Sequence, residues 1–271
     1  MRPERVARMM LLAALIALTG CRAMDRLTFI RPSAERGAYT KVAPTYDVGG
    51  KPGRRDEDPV LLLQNAGDAY RLGDLARAQR LAEQARKAGA DGNDVATLLG
   101  AIADARGDHA AAGRYYKAAA GAMPDNGIYA NNYGTWLCAN GQPGESLGWF
   151  ERAVADPSYP TPAIALANAG DCALQAGQPT RAEASWRLAL AADPRNLIAL
   201  AGMARLEAGR DRLLEARAFL ERWLEQAPQD AEALRLAATV ESRLGDNAAA
   251  SRYLSRLNAL PPAAPVPPRN P

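Results

Sequence analysis

The chain has 271 residues, 48% hydrophobic and 23% charged, with a formal charge of +3. That apolar content excludes a wholly disordered chain, and 6% aromatics in an Ala-rich background argues for helices over strands. Without Arg2, Arg5, Arg8 and Glu4 of the N-terminal leader, +3 falls to +1, too weak a positive field for a nucleic-acid binder.

In chain order the first element is that leader, residues 1–20. Arg2, Arg5 and Arg8 form a basic region, Met9 to Leu18 an apolar one, and Thr19 and Gly20 lead to Cys21. This is the layout of a secretory signal, and the apolar run falls short of the ~20 residues that a bilayer span needs. Leu18-Thr19-Gly20-Cys21 resembles a bacterial lipobox. The resemblance implies cleavage after residue 20 and lipidation of Cys21; the plainer alternative is an ordinary signal with a chance cysteine. Acyl chains contribute ~0.8 kcal/mol per buried CH₂, so a lipidated Cys21 would hold the chain on a membrane. Arg22 rather than Asp follows the cysteine, which by the same resemblance points to the periplasmic face of the outer membrane. Residues 21–58 carry Pro32, Pro44, Pro52 and the pair Gly49-Gly50 among mixed charges, without sustained apolar periodicity. They read as a lipidated flexible tether.

Residues 59–262 are repetitive. Asn131-Asn132-Tyr133-Gly134 through Cys138 to Gly141 is nearly copied by Asn168-Ala169-Gly170 through Cys172 to Gly177, with both pairs of glycines 36 apart. Repetition at a fixed period marks a solenoid. Small residues recur at position 8 (Ala66, Gly100, Gly134, Gly170, Ala204, Ala238), Gly at 15 (Gly73, Gly107, Gly141, Gly177, Gly245), and mostly bulky residues at 24 (Tyr116, Phe150, Trp186, Leu220, Leu254). Pro124, Pro194, Pro228 and Pro262 stand at 32. Small residues let paired helices approach, bulky ones fill the space between pairs, and proline ends the second helix. The pattern is that of the tetratricopeptide repeat, with starts at Pro59, Asn93, Gly127, Ala163, Leu197 and Ala231. The predicted fold is all-α: a right-handed superhelical solenoid of about six helix-turn-helix repeats. The first copy is weakest, with Ala82 at position 24 and a turn one residue short. The middle repeat is two residues longer, in Asp156-Pro157-Ser158-Tyr159-Pro160-Thr161-Pro162, which cannot continue a helix. Residues 263–271, with Pro265, Pro267, Pro268 and Pro271, are expected to be disordered or polyproline-like.

Catalytic signatures do not appear. The single histidine, His109, stands where the repeat usually has an aromatic residue and is expected to pack in its place. One His is little basis for zinc or a Ser-His-Asp arrangement, and no Gly-rich phosphate loop follows a strand. Glu145, Glu151, Glu221 and Glu225 fall at helical spacings among arginines, as on solvated faces. The reading is a protein that is not an enzyme, with no cofactor, no metal and no small-molecule substrate.

With Cys21 lipidated, Cys138 and Cys172 remain as an even pair in an oxidising compartment. They fall at positions 12 and 10 of neighbouring first helices, whose axes lie about 8–10 Å apart, while a disulfide needs Cα atoms within about 7 Å. A bridge is favoured over two inert core thiols. Partner binding in such arrays uses the concave face built by positions 2, 5, 9, 12 and 13 of the first helices. Position 2 gives Val60, Ile128, Ile164 and Ile198, with Asn131, Thr135, Asp171 and Arg205 beside them. Either this is an apolar stripe edged by polar groups, suited to an extended or helical peptide, or the isoleucines are core. Asn132 and Asn168, at position 6, are expected to cap or bridge backbone between repeats.

The Asn131-Asn132-Tyr133-Gly134-x-x-Leu137-Cys138 block, Phe150-x-x-Ala153, Tyr159-Pro160-x-Pro162 and Asn168-Ala169-Gly170-x-Cys172-Ala173 resemble the type IV pilus biogenesis and stability lipoproteins of the PilF/PilW family. The lipobox and the repeat number agree with it. The resemblance implies an outer-membrane pilotin whose partner is the type IV pilus secretin, which it localises and helps to multimerise. A periplasmic repeat scaffold for another envelope machine is the competing reading.

Overall fold

The computed structural model describes residues 58–261. The leader, Cys21, most of the tether and the C-terminal tail from Pro262 lie outside the described residues.

Six helix pairs follow one another. They are α1 (Pro59–Arg71) with α2 (Leu75–Lys87), α3 (Gly92–Ala105) with α4 (His109–Ala122), and α5 (Gly127–Ala139) with α6 (Pro143–Ala155). Then come α7 (Pro162–Gln175) with α8 (Pro179–Ala192), α9 (Leu197–Gly209) with α10 (Leu213–Gln226), and α11 (Ala231–Arg243) with α12 (Asn247–Asn258). No strand occurs among the described residues.

Local chemistry sets the ends. An Asp or Asn side chain accepts a first-turn N–H at α1 to α5, α9, α11 and α12, satisfying donors that the helix leaves free. Helices α6, α7 and α8 lack that bond and start with proline instead, which needs no donor there. Met123, Asp193 and Ala227, each just before a proline, leave helical geometry at φ −135°, −140° and −133°, as the proline ring requires of its neighbour.

Within every pair three residues make the turn, so the first repeat's turn is not short as expected. It departs only in having Ala82 where later repeats carry a large side chain. The middle residue of the turn is left-handed each time: Gly73, Gly107, Gly141, Gly177 and Gly245 have φ of 72–84°. In the fifth repeat Asp211 takes that conformation at φ 61°, one that Asp tolerates better than most residues.

Each helix packs on its pair partner and on the next pair. First helices also touch one another in succession (α1 on α3, α3 on α5, α5 on α7, α7 on α9, α9 on α11), whereas consecutive second helices do not. The first helices therefore lie on the inside of the curve, as in a stacked repeat array.

Trp186 shows how the small and bulky positions mesh. It is fully buried on α8, and its ring occupies the space that a Cβ would need on Gly170 of its own pair and on Gly202 of the next. Phe150 lies likewise against Gly134, where a Cβ would come within 3.1 Å of the ring. Leu254, at the same position in the sixth repeat, is 46% exposed, because no described repeat follows to cover it. The long link after α6 is more than a spacer. Tyr159 is buried against Gly127, and Asp156 accepts the Gly127 N–H at 2.8 Å.

Candidate functional site

The inner face is built by the first helices, α1, α3, α5, α7, α9 and α11. On it Ile128, Ile164 and Ile198 are 45%, 41% and 37% exposed, so neighbouring helices do not cover them. All three hold position 2, at the start of a first helix.

The polar residues beside them are mostly engaged with the protein itself. Asn131 is buried, and its Oδ1 accepts from Asn168 Nδ2 at 3.2 Å. Asn168 Nδ2 also reaches Thr135 Oγ1 at 3.4 Å, and Thr135 donates to the Asn131 carbonyl at 2.8 Å. Asn168 thus bridges repeats through side chains rather than backbone. Cβ atoms of adjacent first helices are near enough for two short amides to meet, and the helical backbone is already satisfied by its own ladder.

Asp171 accepts from Trp186 Nε1 at 3.1 Å. Burial raises its pKa above the usual carboxylate value, opposed by that hydrogen bond and by Arg205. Arg205 forms an ion pair with Glu232 at 2.6 Å and lies over the Trp223 ring. Of the expected face residues, Ile128, Ile164, Ile198 and Thr135 are exposed, Arg205 is exposed but paired, and Asn131 and Asp171 face inward.

Cys138 and Cys172 are bonded to each other, with Cα atoms 5.8 Å apart. The bond ties α5 to α7, the same two helices that share the Asn131–Asn168 bridge. His109 does not pack as an aromatic stand-in. It is exposed as the first residue of α4, with Nδ1 2.6 Å from Asp104 Oδ1. Following the charged turn, it has no core within reach.

Spacing alone had not suggested the buried acids of the fifth and sixth repeats. Glu207 and Glu241, 34 residues apart, are both buried, paired with Arg212 and Arg217. A carboxylate at the same register of two repeats, one with an arginine in the turn that follows it and the other with an arginine on the preceding helix, is the signal that could have found them. No group of three or more His, Cys, Asp or Glu residues among the described ones could hold a metal ion. No described helix is long and apolar enough to cross a membrane.

Tetratricopeptide-repeat family models match residues 63–127 and 173–240. The chain has the tetratricopeptide-repeat fold. Among solved structures it is similar to PilW, described as a widely conserved type IV pilus biogenesis factor. The TM-score is 0.68 at 29% identity, over 76% of this chain and 95% of PilW. PilF of Pseudomonas aeruginosa matches with a TM-score of 0.70 over 78% of this chain and 95% of its own, though 21% identity there speaks for the fold alone. The likeness to the PilF/PilW family read from the sequence thus has structural support. A curated relative, cellulose synthase operon protein C of Pseudomonas fluorescens, is 28% identical over 204 residues, 72% of this chain. The repeat protein spans only 16% of that relative's length.

Proposed function

We propose that this protein is a pilotin: a lipoprotein held by acyl chains on Cys21 at the periplasmic face of the outer membrane, where its repeats bind the type IV pilus secretin. The anchor fixes where binding occurs. The repeats gather secretin subunits there and raise their local concentration until the ring assembles. Binding energy performs this work, without a chemical step. The observation that carries the reading is the match to PilW along nearly all of that protein. Support also comes from three exposed isoleucines in register on the inner face, a surface suited to a peptide segment of a partner.

The test is secretin oligomer content of outer membranes in wild type, a deletion strain, and the deletion complemented with the Cys21→Ala chain. The ring, and twitching motility with it, should be lost in the deletion; with Cys21→Ala the ring should be reduced or misplaced. A normal ring in the deletion strain overturns the proposal. The likeness to cellulose synthase operon protein C favours a second reading, a repeat scaffold for a different envelope assembly. Loss of that assembly with twitching intact would establish it instead.

A further inference from the structure

The outer face of the first two repeats is one-sided in charge. Helices α2 and α4 together carry six cations and one carboxylate, Glu83, which accepts from Gln79 at 2.9 Å. On α2 the buried Ala78, Ala82 and Ala85 face the core. Arg80 and Lys87, two turns apart, share the opposite side with Gln84, and Arg77 is exposed next to them. Arg114 and Lys117 are exposed on α4, where Arg114 holds the register of Arg80 one repeat on. Among the described residues none of these five cations is part of an ion pair. Farther along the array, second-helix arginines find carboxylates: Arg181 pairs with Glu151, Arg187 with Glu183 and Arg217 with Glu241.

Like charges gathered on one face repel one another and weaken a fold rather than support it. What they suit is a surface of fixed negative charge, either lipid headgroups or an acidic protein. Chain order favours the lipid. Helix α1 starts at Pro59, so these two repeats are the part of the array next to the segment that leads back to Cys21. As a random coil that segment would span about 35 Å, which keeps the face within reach of the membrane that holds the acyl chains and makes its binding intramolecular. At an anionic membrane each cation strengthens binding about fivefold.

We propose that the outer face of α2 and α4 rests on the anionic phospholipid headgroups of the membrane that carries the Cys21 anchor. The proposal rests on the anchored reading above and adds an orientation to it. Because first helices lie on the inside of the curve, the inner face of these repeats then points away from the lipid, open to a partner.

Energy transfer to headgroup-labelled lipid tests it, with the acylated full chain reconstituted in vesicles. The donor fluorophore stands at Gln84 or, for comparison, at Thr239 on α11, both exposed. The vesicles are phosphatidylcholine alone or with about one third phosphatidylglycerol. Phosphatidylglycerol should raise transfer from Gln84 at least twofold and should not raise that from Thr239. Salt at about 1 M, where the Debye length is near 3 Å, should remove the gain. Arg80→Glu/Arg114→Glu should also remove it, since two cations are worth about 25-fold in binding, and the milder Arg80→Gln/Arg114→Gln should reduce it. Arg235→Glu/Arg252→Glu, the same change in net charge at exposed positions outside the patch, should keep it. All these variants should melt with wild type, because no described residue forms an ion pair with the replaced side chains. Equal transfer from Gln84 on the two lipids overturns the proposal, as does a gain that survives both substitutions at Arg80 and Arg114. Binding of polyglutamate without any gain on phosphatidylglycerol assigns the face to an acidic protein instead. Mass spectrometry of Cys21 separates the two readings. An acylated chain with no gain sinks the lipid-facing orientation alone. An unmodified Cys21 sinks the anchor, and sedimentation of that chain with phosphatidylglycerol but not phosphatidylcholine vesicles still decides the face.

Discussion

Gly202→Ala adds a single methyl group and should destabilise the array by about 2 kcal/mol. Gly202 lies on α9 directly against the Trp186 ring, which fills the space a Cβ would take. The ring cannot retreat, because Gly170 receives its other side and Asp171 holds its Nε1 at 3.1 Å. Overpacking of this kind costs about 1–3 kcal/mol, and a rigid ring clamped on both sides belongs at the upper end. Alanine returns about 1 kcal/mol through its better helix propensity, which leaves a net loss of about 2. Gly148→Ala is the control: that helical glycine is exposed, and a Cβ there meets nothing within 4 Å, so it should stabilise by about 1 kcal/mol. Trp186→Phe should rescue Gly202→Ala in part, with a coupling of about 1 kcal/mol or more between the two sites. Urea denaturation followed by far-UV circular dichroism measures wild type, the three single variants and the Trp186→Phe/Gly202→Ala double variant. If Gly202→Ala stabilises like Gly148→Ala, Trp186 does not fill this slot and the packing account of the fourth and fifth repeats is wrong.

Two further outcomes are expected. Opening the Cys138–Cys172 bond, which closes a separation of 34 residues, should cost about 3–4 kcal/mol by the loop-entropy relation; a urea midpoint indifferent to reductant would contradict this, and Cys172→Ser supplies the reductant-insensitive control. Asp171→Asn keeps an acceptor for Trp186 and removes a charge that burial disfavours. Because the folded pKa of Asp171 is raised, its contribution to stability is full below the unfolded value of 3.8 and declines as pH rises through the folded one. Wild type and Asp171→Asn should therefore melt together at pH 3, and the variant should melt higher at pH 7. The reverse order at neutral pH would show that the pairing with Arg205 outweighs the cost of burial.

The sequence alone determined the architecture because each repeat states its own boundaries. Asp or Asn caps, glycine at the left-handed turn position and proline after the second helix act within a few residues of one another, so a linear reading finds them. The same holds for Trp186 and Gly170, whose fit belongs to one repeat. Contacts between repeats were harder to read, since they depend on how far one pair rotates over the next. Only the tertiary structure decided that Asn168 meets Asn131 rather than backbone, that Asp171 serves Trp186, and that Glu207 and Glu241 are buried against arginines. It also turned His109 outward and set Tyr159 against Gly127. Position 2 marked Ile128, Ile164 and Ile198 as ambiguous between core and surface. Their exposure depends on how neighbouring first helices stack, which is written nowhere in the isoleucines' own neighbourhoods.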